Sequence, residues 1–401
     1  MSTSISSTSS TLPSVEKARE RTLRVQKTLS RYIVGQEDMI KAVIVATVAG
    51  EHAVIIGPPG TGKSMTIRTL SELLDARFYQ YLLTRFTTFE ELFGYIDILA
   101  LSTKNEYRRN WSMITTADFV FLDEIFKANS SILNTLLSIM QERIVYDPFS
   151  GTPVRTQLWS LFGASNEVPD DPDLQALYDR FSIKIFIDYI GRSAGSAQAQ
   201  STQSDPYLSA LNARWRRSGL KPIASMSDIR VLNQYAEEIL RKQIGNMGSG
   251  LEIYHQNFVP IIKALQAKGF IVSDRTVIEK LPKLFASYLA IYGLFPDNIV
   301  LAPYEILPWI ARSRSELRDI TKFIGDSMGD VNELMKLLSE ARDLFIAGNL
   351  SSAKEKLLEI MNYDLGKLVS KPWLRSKAET IVAAAREYLQ EINRNASTGE
   401  T

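Results

Sequence analysis

The chain has no cysteine, and among its 401 residues only two histidines, His52 and His255. Disulfides, thiol nucleophiles and Cys/His zinc sites are excluded, so any bound metal must be held by oxygen ligands. The absence of Cys suits a reducing compartment and equally a lineage that avoids thermolabile side chains. An excess of either charge is also missing. Lys and Arg number 46 against 45 Asp and Glu, which gives no global attraction to nucleic acid or to an anionic membrane. Long apolar runs are absent too. Phe285 to Phe295 and Ile299 to Ile310 are short, or broken by Gly, Pro and Glu, and fall below the roughly 18 consecutive apolar residues of a spanning helix. Met1 to Thr11 is nearly all Ser and Thr, with neither the apolar core of a signal peptide nor the basic amphipathic face of a transit peptide. It reads as a disordered tail, and the protein is expected to be soluble, without membrane insertion, and cytoplasmic.

What is present is ordinary globular material, 45% hydrophobic and 23% charged. The length suits two to three domains of roughly 150 residues. Leu12, Val15, Ala18, Thr22, Val25 and Leu29 recur at helical spacing, and a second helix is expected from Glu37 to Ala49 with Gly50 as its C-cap. Continuous apolar runs then follow: Ala53 to Ile56, Phe78 to Leu83, Phe119 to Leu122, Leu158 to Ala164 and Ser182 to Ile187. Runs of this kind, separated by helical or irregular segments, predict buried strands in a parallel five-stranded sheet with helices on both faces. Residues 191–206 are rich in Ser, Gly, Ala and Gln and are expected to be a flexible linker. The expected organisation is a tail over 1–11, an α/β core over 12–190, the linker, an α-helical lid over 207–314 and a helical C-terminal extension over 315–401.

Gly57-Pro58-Pro59-Gly60-Thr61-Gly62-Lys63-Ser64 matches G-x-x-x-x-G-K-[ST] between a predicted strand and a predicted helix, the context in which this pattern cradles phosphates. Glycines let successive N–H groups point at phosphate oxygens, Lys63 supplies a mobile positive charge for the β- and γ-phosphates, and Ser64 offers a hydroxyl to Mg²⁺. Downstream, Phe119 to Leu122 ends in Asp123 and Glu124, adjacent acids at the C-terminal end of a buried strand. Asp123 suits Mg²⁺ held through water, and Glu124 suits orientation of an attacking water. The plainer alternative makes these acids a cap for the helix starting near Asn129.

The segments Tyr81 to Phe86, Glu90 to Gly94, Phe121 to Ala128, Ile132 to Leu137, Ala164 to Glu167 and Leu177 to Arg180 resemble the MoxR family of AAA+ ATPases, and within it the RavA branch. The resemblance spans about Val15 to Ile190, thins through the lid and is essentially absent after about Ile310. It implies an AAA+ P-loop core binding ATP and Mg²⁺, with Asn166 as sensor 1, Arg180 as an arginine finger reaching a neighbouring subunit's γ-phosphate, and Arg275 as sensor 2 opening a lid helix. Asn166 read alone is a turn residue, and Arg180 read alone is a surface partner of Asp179 or Asp173. Tyr32, Ile33, Val34 and Gly35 resemble the adenine-packing segment or, equally, form the core of a helix-to-helix junction. Phe89 to Tyr107 resembles the helix 2 insert and Ile144 to Gln157 the pre-sensor 1 hairpin, which makes Phe93, Tyr95 and Tyr146 candidate client contacts or core aromatics.

The resulting expectation is a homo-oligomeric, hexameric ring ATPase that hydrolyses MgATP at subunit interfaces and remodels a protein partner, relatives being associated with von Willebrand factor A domain proteins. A nucleic-acid motor is the first alternative, resting on Arg108-Arg109 and on Arg214 to Arg217 with Trp215 interleaved; both clusters otherwise read as solvated faces. A nucleotide-gated scaffold with little turnover is the second.

Overall fold

The computed structural model describes residues 12–190, 211, 220–243, 248–329, 331–365 and 372–398. The expected tail over 1–11 and linker over 191–206 lie outside the described residues, as does the basic cluster Arg214 to Arg217.

Helix α1 (Leu12–Tyr32) buries Val15, Ala18, Thr22, Val25 and Leu29, one stripe at three- and four-residue spacing. Helix α2 (Glu37–Ala49) is buried from Met39 to Ala49 and ends on Gly50 at φ 65°, a left-handed C-cap. The α/β part continues as β1 (Ala53–Ile56), α3 (Lys63–Leu73), β2 (Phe78–Leu82), α4 (Phe89–Phe93), β3 (Gly94–Ile96), α5 (Ile98–Lys104), β4 (Arg109–Trp111) and β5 (Phe119–Asp123). Then come α6 (Ser130–Glu142), β6 (Ile144–Tyr146), β7 (Pro153–Arg155), β8 (Ser160–Ser165), α7 (Pro172–Tyr178) and β9 (Ile183–Phe186).

The main sheet has five strands in the order β2-β5-β8-β1-β9, all pairs parallel, as the apolar runs imply. Strand alternation divides the core. Ala53, Ile55, Phe119, Phe121, Phe162 and Ala164 face one apolar cluster with α1 and α2, whereas Val54, Ile56, Val120, Leu122 and Leu161 face another built on α4, α6 and α7. The first cluster runs on without a break into α8 (Met226–Arg241), α9 (Gly250–Ala267), α10 (Leu281–Tyr292), α11 (Pro296–Ile306), α12 (Arg314–Met328), α13 (Val331–Ala347), α14 (Leu350–Met361) and α15 (Pro372–Thr398). One π-helical turn, Thr276–Lys280, precedes α10. No helix among the described residues is long and apolar enough to cross a membrane.

Two short antiparallel hairpins leave the sheet: β3 with β4, and β6 with β7. Arg109 joins them. Its side chain is buried, and it donates to Asp147 Oδ2 at 2.7 Å and to Gly94 O at 2.6 Å. Burial favours the neutral Asp147 carboxyl, but hydrogen bonds from Arg109 and Tyr107 outweigh it and hold the group at about 2. The expectation of a solvated Arg108-Arg109 face is therefore corrected at Arg109, whose charge is spent inside the protein. His52 is equally internal: its Nδ1 accepts from Leu161 N at 2.9 Å, and burial lowers its pKa.

Gly57, which follows β1, has no room for a side chain. A Cβ there would lie 2.5 Å from Ile187 Cγ1 and 2.5 Å from Ile187 O. Gly57→Ala is expected to destabilise the protein by about 1–3 kcal/mol through this overpacking, read as a lower urea midpoint at unchanged slope.

Candidate nucleotide site

At the C-terminal edge of the sheet the chain leaves β1 at Gly57, whose N–H donates to Ser165 O at 3.1 Å. Gly60 and Gly62 take φ 80° and 86°, conformations that disfavour any residue with a Cβ. Gly62 is the N-cap of α3 and supplies no side-chain cap, so the helix N-terminus opens onto the loop with N–H groups ready for an anion. A Cβ at Gly60 would meet nothing within 4 Å. Pro58 O accepts from the Thr61 hydroxyl at 2.9 Å, which braces the curve.

Lys63 Nζ donates to Gly57 O at 2.6 Å, Pro58 O at 3.1 Å and Asn166 Oδ1 at 3.2 Å. Burial lowers its pKa, and the nearby charges of Asp123 and Glu124 act the other way. Its ammonium makes no ion pair with either acid, so it remains free to turn to a phosphate. Ser64 follows in the first turn of α3 and is half-buried.

Asp123 ends β5, and Glu124 follows it in the left-handed region at φ 53°, an uncommon place for a residue with a side chain. Asn166, just past β8, donates from Nδ2 to Glu124 Oε1 at 2.8 Å, while Glu124 Oε2 sits 3.4 Å from Lys127 Nζ. Lys63, Asn166 and Glu124 thus form one hydrogen-bonded chain along the strand ends. The capping alternative for the acids fails, because the cap of α6 is Asn129, whose Oδ1 accepts from Ile132 N at 3.1 Å.

Arg180 is elsewhere. It precedes β9, and Ser182 N donates to His52 O, before β1, so Arg180 lies at the N-terminal edge of the sheet. The four residues of β9 place the two edges about 13 Å apart, further than one arginine side chain extends. Its guanidinium donates through Nε and Nη2 to the Gln141 amide oxygen, with the amide oriented so that both groups are satisfied. Asp179 is taken by Arg312 at 3.2 Å rather than by Arg180. Arg275 precedes the π-helical turn and pairs with Glu279 at 3.1 Å. The end of the same turn, Lys280, bonds Asp179 O and Arg180 O, so this segment sits at the Arg180 edge and not beside the phosphate loop of its own chain.

Residues 20–202 match the family described as the MoxR domain in the MoxR-vWA-beta-propeller ternary systems. The matched stretch takes in the phosphate loop and the whole five-stranded sheet, an AAA+ α/β fold. An uncharacterized protein of Methanocaldococcus jannaschii is 34% identical over 254 residues, 63% of this chain and 61% of that protein. A second uncharacterized protein of the same organism is 42% identical over 160 residues, 39% of this chain and 41% of that protein. The chaperone MoxR1 of Mycobacterium tuberculosis is 24% identical over 164 residues, 40% of this chain and 42% of that protein. Each match thus spans less than two thirds of the relative's own length. A crystal structure of a candidate ATPase from Cytophaga hutchinsonii shares the fold at TM-score 0.57 and 18% identity, covering 78% of this chain and 97% of that one.

Within the matched stretch, Ile33 is buried in the first core while Val34 and Gly35 are half-exposed. Gly35 lies near Ile190, and Gln36 Nε2 donates to Asp188 O at 2.9 Å, so the segment is pinned beside the strand end that flanks Gly57. The junction therefore has core on one side and the phosphate-loop edge on the other. Phe93 is fully buried, so it is core and no client contact; its ring packs tilted against Phe89 in the second cluster. Tyr95 and Tyr146 are exposed, and so are Ile98 and Leu99 on α5, at 76% and 75%. Sequence reasoning missed that pair, although α5 has no buried residue and no apolar stripe to hide. It also missed Arg314, which donates to Asp188 Oδ2 at 2.6 Å and to Ile187 O at 2.5 Å and so clamps the same strand end from α12. No local pattern marks it.

Proposed function

We propose that the chain is a MoxR-type AAA+ ATPase that hydrolyses MgATP between neighbouring subunits of a homo-oligomeric, hexameric ring, and uses the cycle to remodel or help assemble a protein partner. The observation that carries this reading is the division of the machinery between two edges of one sheet. Lys63, Asp123, Glu124 and Asn166 gather at one edge, while Arg180 lies beyond their reach at the other. A second copy, docked edge to edge, brings an arginine to a phosphate that its own chain's arginine cannot reach.

In this scheme the loop from Gly57 through Pro58, Pro59, Gly60, Thr61 and Gly62 cradles the phosphates, and Lys63 leaves its carbonyl partners for the β- and γ-oxygens. Ile33, Val34 and Gly35 flank the base. Ser64 and Asp123 are the residues that would hold Mg²⁺, whose charge neutralises that building on the phosphates; one carboxylate, one hydroxyl and the nucleotide's own oxygens suit this ion. Glu124 polarises the attacking water once Asn166 releases it, and Asn166 turns its amide to the γ-phosphate. Arg180 of the neighbour stabilises the transferring group, and Arg275, at the same edge, approaches the same phosphates from the neighbour's helical region.

The RavA-like placement rests on the sequence segments alone. For the partner, the matching family's description names vWA and beta-propeller components, which supports a von Willebrand factor A domain protein as client. The exposed Tyr95, Ile98, Leu99 and Tyr146 are the surfaces offered to it.

Glu124→Gln tests the reading. The amide keeps the hydrogen bond to Asn166 but cannot act as a base, so ATP should bind with parental affinity and remain uncleaved, turnover falling by about 10²–10⁴-fold. Single-turnover hydrolysis beside equilibrium binding checks it. Parental turnover would remove Glu124 from the chemistry. Pull-down with this trapped form identifies the partner.

A further inference from the structure

Arg180 can act on a neighbour only if its backbone is held in one place, and the turn that carries it leaves two acceptors open. Arg180 N bonds Leu177 O and Phe181 N bonds Tyr178 O, which closes the turn on its N-terminal side. The carbonyls of Asp179 and Arg180 point away from these bonds. Lys280 Nζ donates to both, at 2.8 Å to Asp179 O and 3.3 Å to Arg180 O.

Lys280 is an unusual donor. It is 8% exposed, and no carboxylate lies within ion-pair distance of it among the described residues. Burial pushes its pKa down to about 8, with Glu51 opposing the shift and the nearby Arg275 adding to it. A lysine buried without a counter-ion is costly, so if it served only to fill space an apolar side chain would do so at less cost. It also closes a π-helical turn, Thr276–Lys280, a distortion that re-aims a side chain out of the helical register and is frequent at functional sites. Besides the Arg312–Asp179 pair, three further bonds tie neighbouring parts of this edge to the helical region. Lys283 bonds Glu51 at 3.2 Å, Arg312 bonds Gln175 at 3.1 Å, and Tyr178 donates its hydroxyl to Arg312 O at 2.9 Å. Lys280 alone among these reaches the main chain of Arg180 itself.

We propose that Lys280 is a positioning residue for Arg180, tying the place of the finger to the place of the helical region that carries Lys280. The inference rests on the reading that Arg180 completes a neighbour's site. Movement of the Thr276–Lys280 turn away from the α7–β9 turn breaks both bonds and frees the finger, so the conformation of one subunit's helical region sets the rate at the next subunit's nucleotide.

The test uses mixed oligomers of the full chain. Lys63→Ala abolishes a subunit's own site but still offers a placed finger, whereas Lys280→Met keeps its own site and offers a misplaced one. Alone, Lys280→Met should lose about tenfold or more in turnover at saturating ATP, with nucleotide affinity and oligomer size unchanged. Mixed with Lys63→Ala it should regain activity, as Arg180→Ala mixed with Lys63→Ala should; mixed with Arg180→Ala it should not. Should Lys280→Met fail to fold, Lys280→Gln, which keeps one donor at similar length, is carried through the same mixtures with the same expected pattern and a smaller loss. Parental turnover by the substituted subunit overturns the proposal. So does silence with Lys63→Ala where Arg180→Ala is rescued. If Arg180→Ala is itself not rescued, the two-subunit reading fails, and the positioning role falls with it.

Discussion

Arg180→Ala is expected to reduce ATP turnover by about 10³–10⁵-fold while leaving ATP affinity within a few-fold of the parent. The size follows from what the guanidinium does. In the proposed scheme it meets the phosphoryl oxygens when negative charge spreads over them, so its contribution would appear in the transition state and little of it in the ground state. The retained affinity follows from the geometry. On the proposed reading phosphate binding falls to the Gly57–Gly62 loop, the α3 N-terminus and Lys63 at the opposite edge of the sheet, none of which touches Arg180. Folding should be little affected, because the Arg180 side chain bonds the exposed Gln141 and its carbonyl partner Lys280 is untouched by the substitution. Steady-state hydrolysis and equilibrium binding of a fluorescent ATP analogue give the two numbers. A variant that turns over normally places the chemistry within one chain; one that loses affinity in proportion to rate makes Arg180 a ground-state ligand.

The parts of this site that were legible in the sequence are those carried by local pattern. Gly57 to Ser64 needs only its own residue types and the strand and helix around it, and the five apolar runs gave the five strands to within a residue or two. Asp123 and Glu124 were legible because they interrupt such a run. What escaped depends on partners far along the chain. Arg109 looks like half of a surface doublet until Asp147, 38 residues away, is folded against it. Phe93 gives no local sign that it points inward, since the strand it precedes has only three residues and so no period to read. Lys280 and Arg314 sit on unremarkable amphipathic stretches, and their meaning lies in the backbone carbonyls they meet across 100 and 127 residues. Periodicity reports which face is buried; it does not report which main-chain acceptors are left over on the other side of the contact.

The same limit applies to the buried charges that join the helical region to α2, and these set the second large effect. Glu305 on α11 accepts from Arg342 Nη2 at 2.6 and 2.7 Å, from Lys41 Nζ at 3.1 Å and from the Ser339 hydroxyl at 2.5 Å. Lys41 also reaches Asp343 at 2.9 Å, and Arg342 donates to the Tyr288 hydroxyl at 2.5 Å. Lys41, Glu305 and Arg342 are each at most 3% exposed at the side chain, so removing the central carboxylate charge leaves two cations in a dry core with Asp343 alone between them. Glu305→Gln is expected to cost about 3–5 kcal/mol of stability, read from urea unfolding. The pH dependence fixes the cause. Burial would raise the Glu305 carboxyl, but Arg342 and Lys41 outweigh it and hold the group well below its ordinary 4.5. A depressed carboxyl contributes its stability above its unfolded pKa and loses it as pH falls through the folded one. Asp343, which burial raises, acts with the opposite sign; the Glu305 charge adds to that rise, so Asp343 ionises more readily in Glu305→Gln and offsets part of the loss without changing the sign of the gap. The gap between parent and Glu305→Gln should therefore be full at pH 7 and close as pH falls below about 4.5. A gap that stays constant down to pH 3 would show that the loss comes from packing around the new amide and not from two stranded cations.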